Sequence, residues 1–138
     1  FKEEMGLFRK WLERYPHIPS VLVHGLPTAL FADAQDRIII PDYMLEILRD
    51  YPVYSEVLYP IGWGGKSEYP YTRAQNHIRA LYEQLGPDYL IWGSDMPNVE
   101  RYCTYRQSLS YIEHCDFLGP NDRRKILGAT LRALCGQT

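Results

Sequence analysis

The chain has 138 residues, of which 46% are hydrophobic and 23% charged, and this composition predicts one globular domain with a real core. Its formal net charge of −2 favours neither nucleic acid nor a membrane surface as a partner. No apolar run approaches the ~20 residues that are needed to cross a bilayer. The chain begins at Phe1 in a helical pattern without a secretory signal, which suggests a piece of a longer protein.

The cysteines indicate a reducing compartment. Cys103, Cys115 and Cys135 are an odd number at wide spacing, which fits neither a disulfide framework nor a zinc finger. Free thiols are typical of the cytoplasm, so we expect a cytoplasmic protein.

The first elements in the chain are a helix and a strand. Apolar residues at helical spacing predict an amphipathic helix over residues 1–15. Residues 20–24 are β-branched and stop at a glycine, which predicts a short strand with His24 at its carboxyl end. A lone histidine is more often structural than functional. Its place at a strand end raises the functional interpretation.

The middle of the chain carries a second helix, a second strand and a long loop. Residues 41–51 form an apolar stripe typical of a helix, and residues 53–59 form a strand. A carboxylate within a strand is costly to bury unless it is paired, so Glu56 is either a supporting group beside a site or a member of an ion pair. In the aromatic loop over residues 60–71, Trp63 either lines a pocket or packs on the loop's own rings.

The next helix and strand lead to a carboxylate. Residues 72–85 are a clear amphipathic helix with Thr72 as a possible N-cap. Residues 90–92 then form a buried strand, after which Gly93 allows close backbone approach. Asp95 is therefore held at the carboxyl end of a strand, where ligands bind in α/β folds. There it can bind a metal, act as a base, or cap the following turn.

The order of elements predicts the fold class. A helix passes through Leu109 and Ile112, and a last helix begins with Asn121 or Asp122 as its cap. Strands that alternate with helices indicate a parallel sheet. A closed (β/α)₈ barrel of the TIM type typically needs ~250 residues, so residues 1–138 are predicted to be about three consecutive β/α units of a larger barrel. A small complete doubly wound domain is the alternative.

Three segments carry a resemblance to a known family. They are VLVHG over residues 21–25, YLIWGSDMP over residues 89–97 and KILGATLR over residues 125–132. In this order they resemble the carboxyl-terminal half of the amidohydrolase-related (amidohydrolase 2) metal-dependent hydrolases. That branch also contains aminocarboxymuconate-semialdehyde decarboxylase and related decarboxylases. The G-S-D-x-P strand end is the most specific of the three.

The resemblance implies a distorted (β/α)₈ barrel and a divalent metal. Asp95 would then be the strand-eight aspartate, which helps to bind the metal and handles a proton. His24 would be the strand-six histidine, which polarises the substrate or water. Zinc is the leading candidate for mixed histidine and aspartate ligation, and manganese is also compatible. The substrate would be a small carboxylate or carbonyl compound.

The chain also departs from the family. The His-x-His pair of the first strand and the histidine of the fifth strand are both missing. One aspartate and one histidine are too few for catalytic zinc, which normally has three protein ligands, so the chain alone is predicted to be inactive. Open strand edges predict pairing with the missing barrel half or with a second copy.

Two further predictions concern the substrate and a different class of function. Arg101, in the loop after Asp95, can hold a substrate carboxylate, as can Arg106, although arginines in such loops are usually solvated or paired. With Trp63 it completes the candidate substrate site. The alternative function is a non-catalytic α/β interaction domain, in which Asp95 caps a turn and Trp63 and the tyrosines bind a partner.

Overall fold

Three parallel strands form one sheet. They are β1 (Ser20–Leu22), β2 (Val53–Val57) and β3 (Leu90–Trp92). In the computed structural model, which describes residues 2–35, 37–57 and 68–136, the strands lie in the order β1-β2-β3. Ser20 pairs with Val53, and Ser55 pairs with Leu90, both in parallel register. The three carboxyl ends therefore meet at one edge, as the alternation of elements predicted.

Helices occupy the segments between and after the strands. They are α1 (Lys2–Arg14), α2 (Asp42–Asp50), α3 (Thr72–Leu85), α4 (Tyr105–Glu113), α5 (Pro120–Arg124) and α6 (Thr130–Leu134), with a π-helical stretch (Lys125–Ala129) joining the last two. Each predicted helix is present, and α3 has the predicted bounds. The fold is thus a mixed α/β fold with a parallel sheet.

Two predicted caps are wrong. The N-cap of α3 is Tyr71 in a left-handed conformation, not Thr72, and α5 follows Gly119 with a proline as its first residue. Proline at this position fixes the helical φ and lacks the N–H that a cap would have to satisfy, so α5 can begin without Asn121 or Asp122 as its cap. The side-chain cap occurs instead at α4, where Thr104 and Gln107 form a reciprocal capping box.

The core lies between the sheet and the helices. Along β2, Val53, Ser55 and Val57 are buried while Tyr54 and Glu56 are half-buried, so one face of the strand is covered completely. Large side chains that are fully buried pack against it from α2, α3, β3 and α4: Met44, Leu48, Ile78, Leu81, Leu90, Tyr111 and Ile112. This packing holds the carboxyl edge of the sheet in place.

The outer strand β1 leaves apolar side chains exposed. Val21 and Val23 are 41% and 69% exposed. Beside them lies a groove of about 290 Å³, lined by Met5, residues 21–23 and residues 25–27. Within the described residues, β1 pairs with β2 alone. None of the described helices combines the length and the apolar character that crossing a membrane requires.

Candidate active site

His24 stands in a tight turn directly after β1. The turn is closed by the Gly25 N–H, which donates to the Leu22 carbonyl at 2.9 Å. His24 has a φ of 66°, which is rare for a residue with a Cβ. The strand therefore ends at Leu22, two residues earlier than predicted, and His24 is exposed at the carboxyl edge of the sheet.

Asp95 stands in a second left-handed turn, after β3. The Gly93 N–H donates to the Val57 carbonyl at 3.0 Å and keeps this segment against β2. Asp95 then takes a φ of 53° and is half-buried. Its Oδ1 accepts a hydrogen bond from the Asn98 side-chain amide at 3.3 Å. Its backbone carbonyl, and not its carboxylate, accepts the N–H of Val99. The backbone hydrogen bond of the turn therefore does not use the carboxylate, which contacts the turn through the Asn98 amide.

Glu56 on the central strand lies between these two turns. Its Oε2 accepts the backbone N–H of His24 at 2.5 Å, and its Oε1 lies against Gly93. Of the two interpretations of Glu56, the supporting group fits this geometry. The ion pairs found within the described part of the chain do not include it. The sequence left Glu56 open, and its only signal was a carboxylate within a strand.

The two turns lie at the same edge, on either side of β2. Two strand spacings of ~4.8 Å separate β1 from β3 by about 10 Å. Among the described residues, His24 and Asp95 share no hydrogen bond, and Glu56 is the group between them. Of the described non-glycine residues, just His24, Tyr71 and Asp95 have a positive φ. Unusual backbone conformations cluster at functional sites, so two of them at one ligand-binding edge mark a candidate active site.

A comparison with family models identifies the chain. The model described as "Amidohydrolase" matches residues 5–134 of the 138 residues. The chain belongs to the amidohydrolase family. The predicted family is confirmed, and it implies a TIM barrel, catalysis of the hydrolase or lyase type, and in general dependence on a metal. No solved structure gave a significant match.

The metal-binding capacity of this amidohydrolase chain is partial. Within residues 2–35, 37–57 and 68–136, no group of three or more histidine, cysteine, aspartate or glutamate side chains is placed to hold an ion. Catalytic zinc usually has three protein ligands. The described residues therefore do not form a complete metal site.

The roles of the predicted substrate residues stay predictions. Arg101 ends a short 3₁₀ turn (Asn98–Arg101) and lines a separate groove of about 400 Å³ with residues 100–104 and Gln107. In the described part of the chain, no hydrogen bond or ion pair joins it to His24 or Asp95. Arg106 lies 3.5 Å from Glu113 in an exposed ion pair. Trp63 lies outside the described residues, so its role stays a prediction.

The other histidines and cysteines have structural roles or lie elsewhere. His77 is buried with its Nδ1 2.8 Å from the Thr28 hydroxyl, and the Nδ1 of His114 is 2.6 Å from the Ser110 carbonyl. His17 is exposed in a loop. Burial raises the pKa of the Cys103 thiol, while a hydrogen bond with Tyr71 lowers it less, so Cys103 stays protonated and is a poor nucleophile.

Proposed function

We propose that this chain is the carboxyl-terminal portion of a metal-dependent amidohydrolase barrel, comprising about its last three β/α units. One observation carries the proposal: two left-handed turns, at His24 and Asp95, stand at the carboxyl edge of a parallel sheet with Glu56 between them. Enzymes with (β/α)₈ barrels place their active sites at this edge. The two residues that the family resemblance selects are two of the three described non-glycine residues with a positive φ.

The arrangement of the strands supports the barrel. The order of the strands in the sheet is their order in the chain, and each neighbour is parallel, as in a TIM barrel. The apolar groove beside Val21 and Val23 is then the place where the preceding strand of the same barrel packs. We therefore propose the remaining barrel portion as the partner of β1, with a second copy of the chain as the other possible occupant.

The site residues receive separate roles. Asp95 contributes one metal ligand and carries a proton, and His24 donates a hydrogen bond to the substrate or to water. A divalent metal, zinc or manganese, would supply Lewis acidity or an activated water when bound. Its other ligands come from outside these residues, so we propose that this portion alone is inactive. The reaction is hydrolysis or decarboxylation of a small carboxylate or carbonyl compound, with Arg101 as the candidate contact for the substrate carboxylate and Trp63 as a candidate pocket residue.

The thiols support a reducing compartment. Cys103 and Cys115 are buried, Cys135 is exposed, and all three are free. An exposed free thiol is typical of the cytoplasm, and we propose that compartment for the protein.

Metal analysis of the complete gene product tests the function. We would measure its intact mass and its zinc and manganese content in the wild type and in Asp95→Asn, Asp116→Asn and His24→Asn. We expect the wild type to carry metal and Asp95→Asn to bind it at least about 10-fold more weakly, since even groups that only orient ligands contribute that much. Asp116 is 85% exposed in an ion pair with Arg79, so Asp116→Asn is the matched control and should keep the metal.

The His24→Asn variant separates the proposed role of His24 from the metal-binding role of Asp95. Asparagine tolerates a left-handed φ, so His24→Asn should keep both the turn and the metal content. A metal-free wild type would overturn the proposal and favour a non-catalytic α/β interaction domain. Equal metal content in the wild type and Asp95→Asn would remove Asp95 from the metal site.

A further inference from the structure

The side chain of Glu56 lies where a side chain at position 93 would otherwise be. A Cβ built on Gly93 would lie 1.7 Å from the Oε1 of Glu56, 2.6 Å from its Cδ and 2.9 Å from its Cγ. Non-bonded atoms do not approach this closely, so any other residue at position 93 has to displace Glu56. Gly93 is therefore a glycine because the carboxylate of Glu56 lies over it.

The same carboxylate supports the turn at His24. The left-handed conformation of His24 is unfavourable for a residue with a Cβ, and it needs a compensating interaction. The backbone N–H of His24 donates to the Oε2 of Glu56, and a hydrogen bond to a charged acceptor is stronger than a neutral one. One carboxylate thus contacts the segment that leads to Asp95 and accepts a hydrogen bond from the turn that carries His24.

We propose that Glu56 is a positioning residue of the active site, which holds the His24 turn through its backbone N–H and requires the absence of a side chain at Gly93. What the turn does in catalysis rests on the proposed function, but the arrangement of Glu56, His24 and Gly93 does not. An ordinary ion pair would not explain these contacts, because the acceptor is bonded to a backbone group and the space over Gly93 is filled by the carboxylate itself.

The variants are Glu56→Ala, Glu56→Gln, Gly93→Ala and the double variant Glu56→Ala/Gly93→Ala, all in the complete gene product. ¹⁵N-histidine labelling reports on the His24 amide and on its imidazole, and the signals are assigned by their loss in His24→Asn. Glu83→Ala is the control, because Glu83 is an exposed glutamate on α3. Thermal unfolding of each variant reports on the whole fold.

Glu56→Ala should speed hydrogen exchange of the His24 amide by at least about 10-fold, because the amide loses its charged acceptor. Glu56→Gln retains an acceptor oxygen and should restore much of the protection. Gly93→Ala should shift the His24 amide and imidazole signals in the same direction as Glu56→Ala, although the N–H groups of residues 24 and 93 have different acceptors. The double variant should resemble Glu56→Ala alone, since the added methyl group then meets no carboxylate.

Two results would overturn the inference. The first is a His24 amide that stays unchanged in both Glu56→Ala and Gly93→Ala. If Glu56→Ala does not fold, an unchanged His24 amide in Gly93→Ala alone gives this result. The second is a fall in melting temperature with no change at His24, which would make Glu56 merely structural. Neither result depends on the metal. A metal-free protein with the expected His24 signals overturns the proposed function and leaves this arrangement standing, whereas a metal-loaded protein without those signals does the opposite.

Discussion

The N–H of Gly86 donates to the carbonyl of Tyr82 at 2.8 Å and ends α3 with a φ of 86° and a ψ of 164°. This region of backbone conformation is essentially restricted to glycine. We expect Gly86→Ala to lower the free energy of unfolding by about 1–3 kcal/mol, although no atom lies within 4 Å of the added Cβ. Urea unfolding followed by circular dichroism measures the change.

The same substitution at Gly6 is the control. Gly6 lies within α1 with open space around its Cβ, and alanine is the better helix former. Gly6→Ala should raise the free energy of unfolding by about 0.5–1 kcal/mol. If both substitutions changed the free energy of unfolding in the same direction, the backbone conformation of Gly86 would not explain the effect of Gly86→Ala.

A cavity in the core tests the packing of α3. Leu81 is fully buried against the sheet and helices, whereas Leu7 on α1 is 67% exposed. Leu81→Ala should cost about 2–5 kcal/mol of unfolding free energy, since it removes a buried side chain and leaves a void. Leu7→Ala should stay within about 0.5 kcal/mol, measured by the same denaturant titration. An unfolding free energy of Leu81→Ala equal to that of the wild type would contradict the position of α3 over the core.

The capping box at the start of α4 tests a local interaction. The Thr104 hydroxyl accepts the Gln107 N–H at 3.2 Å, and the Gln107 side chain accepts the Thr104 N–H at 2.9 Å. Thr104→Ala should lower the free energy of unfolding by about 1 kcal/mol, because the Gln107 N–H loses its acceptor. Thr104→Ser keeps the hydroxyl and should lie close to the wild type. A loss in the serine variant as large as in the alanine variant would attribute the effect to the methyl group instead.

Burial of the Cys115 thiol should make the fold less stable as the pH rises in alkaline solution. Burial raises the pKa of Cys115 from 9.0 to about 12, while Arg123 opposes this shift and Asp116 adds to it. Below pH 9 the thiol is protonated in both states. Between pH 9 and 12 it ionises in the unfolded chain alone, so the free energy of unfolding falls as the pH rises.

Cys115→Ala isolates this contribution. The difference in unfolding free energy between the wild type and the variant should be constant from pH 7 to 8 and should shrink from pH 9 upward. Urea titrations at matched ionic strength measure it. A parallel pH dependence of both proteins would show that the folded thiol ionises as easily as the unfolded one.

Local sequence rules predicted the strands and helices where the chain marks its own boundaries. Leu90–Trp92 was predicted to the residue because Gly93 follows it, and α3 because Gly86 ends it. The end of β1 was missed because the left-handed turn at His24 is held by an acceptor 32 residues away. The family, and the position of His24 and Asp95 at the carboxyl edge of the sheet, were predicted from the sequence motifs. The role of Glu56 did not, because its contacts depend on the register between strands.

The sheet order has a consequence for synthesis of the protein. Among the described strands, β2 pairs with β1 and β3 pairs with β2, so each pairs with the strand made before it. When β2 leaves the ribosome, β1 is already available as its template, and β2 then serves β3 in the same way. Folding of these units can therefore proceed step by step during translation, without waiting for the last residue.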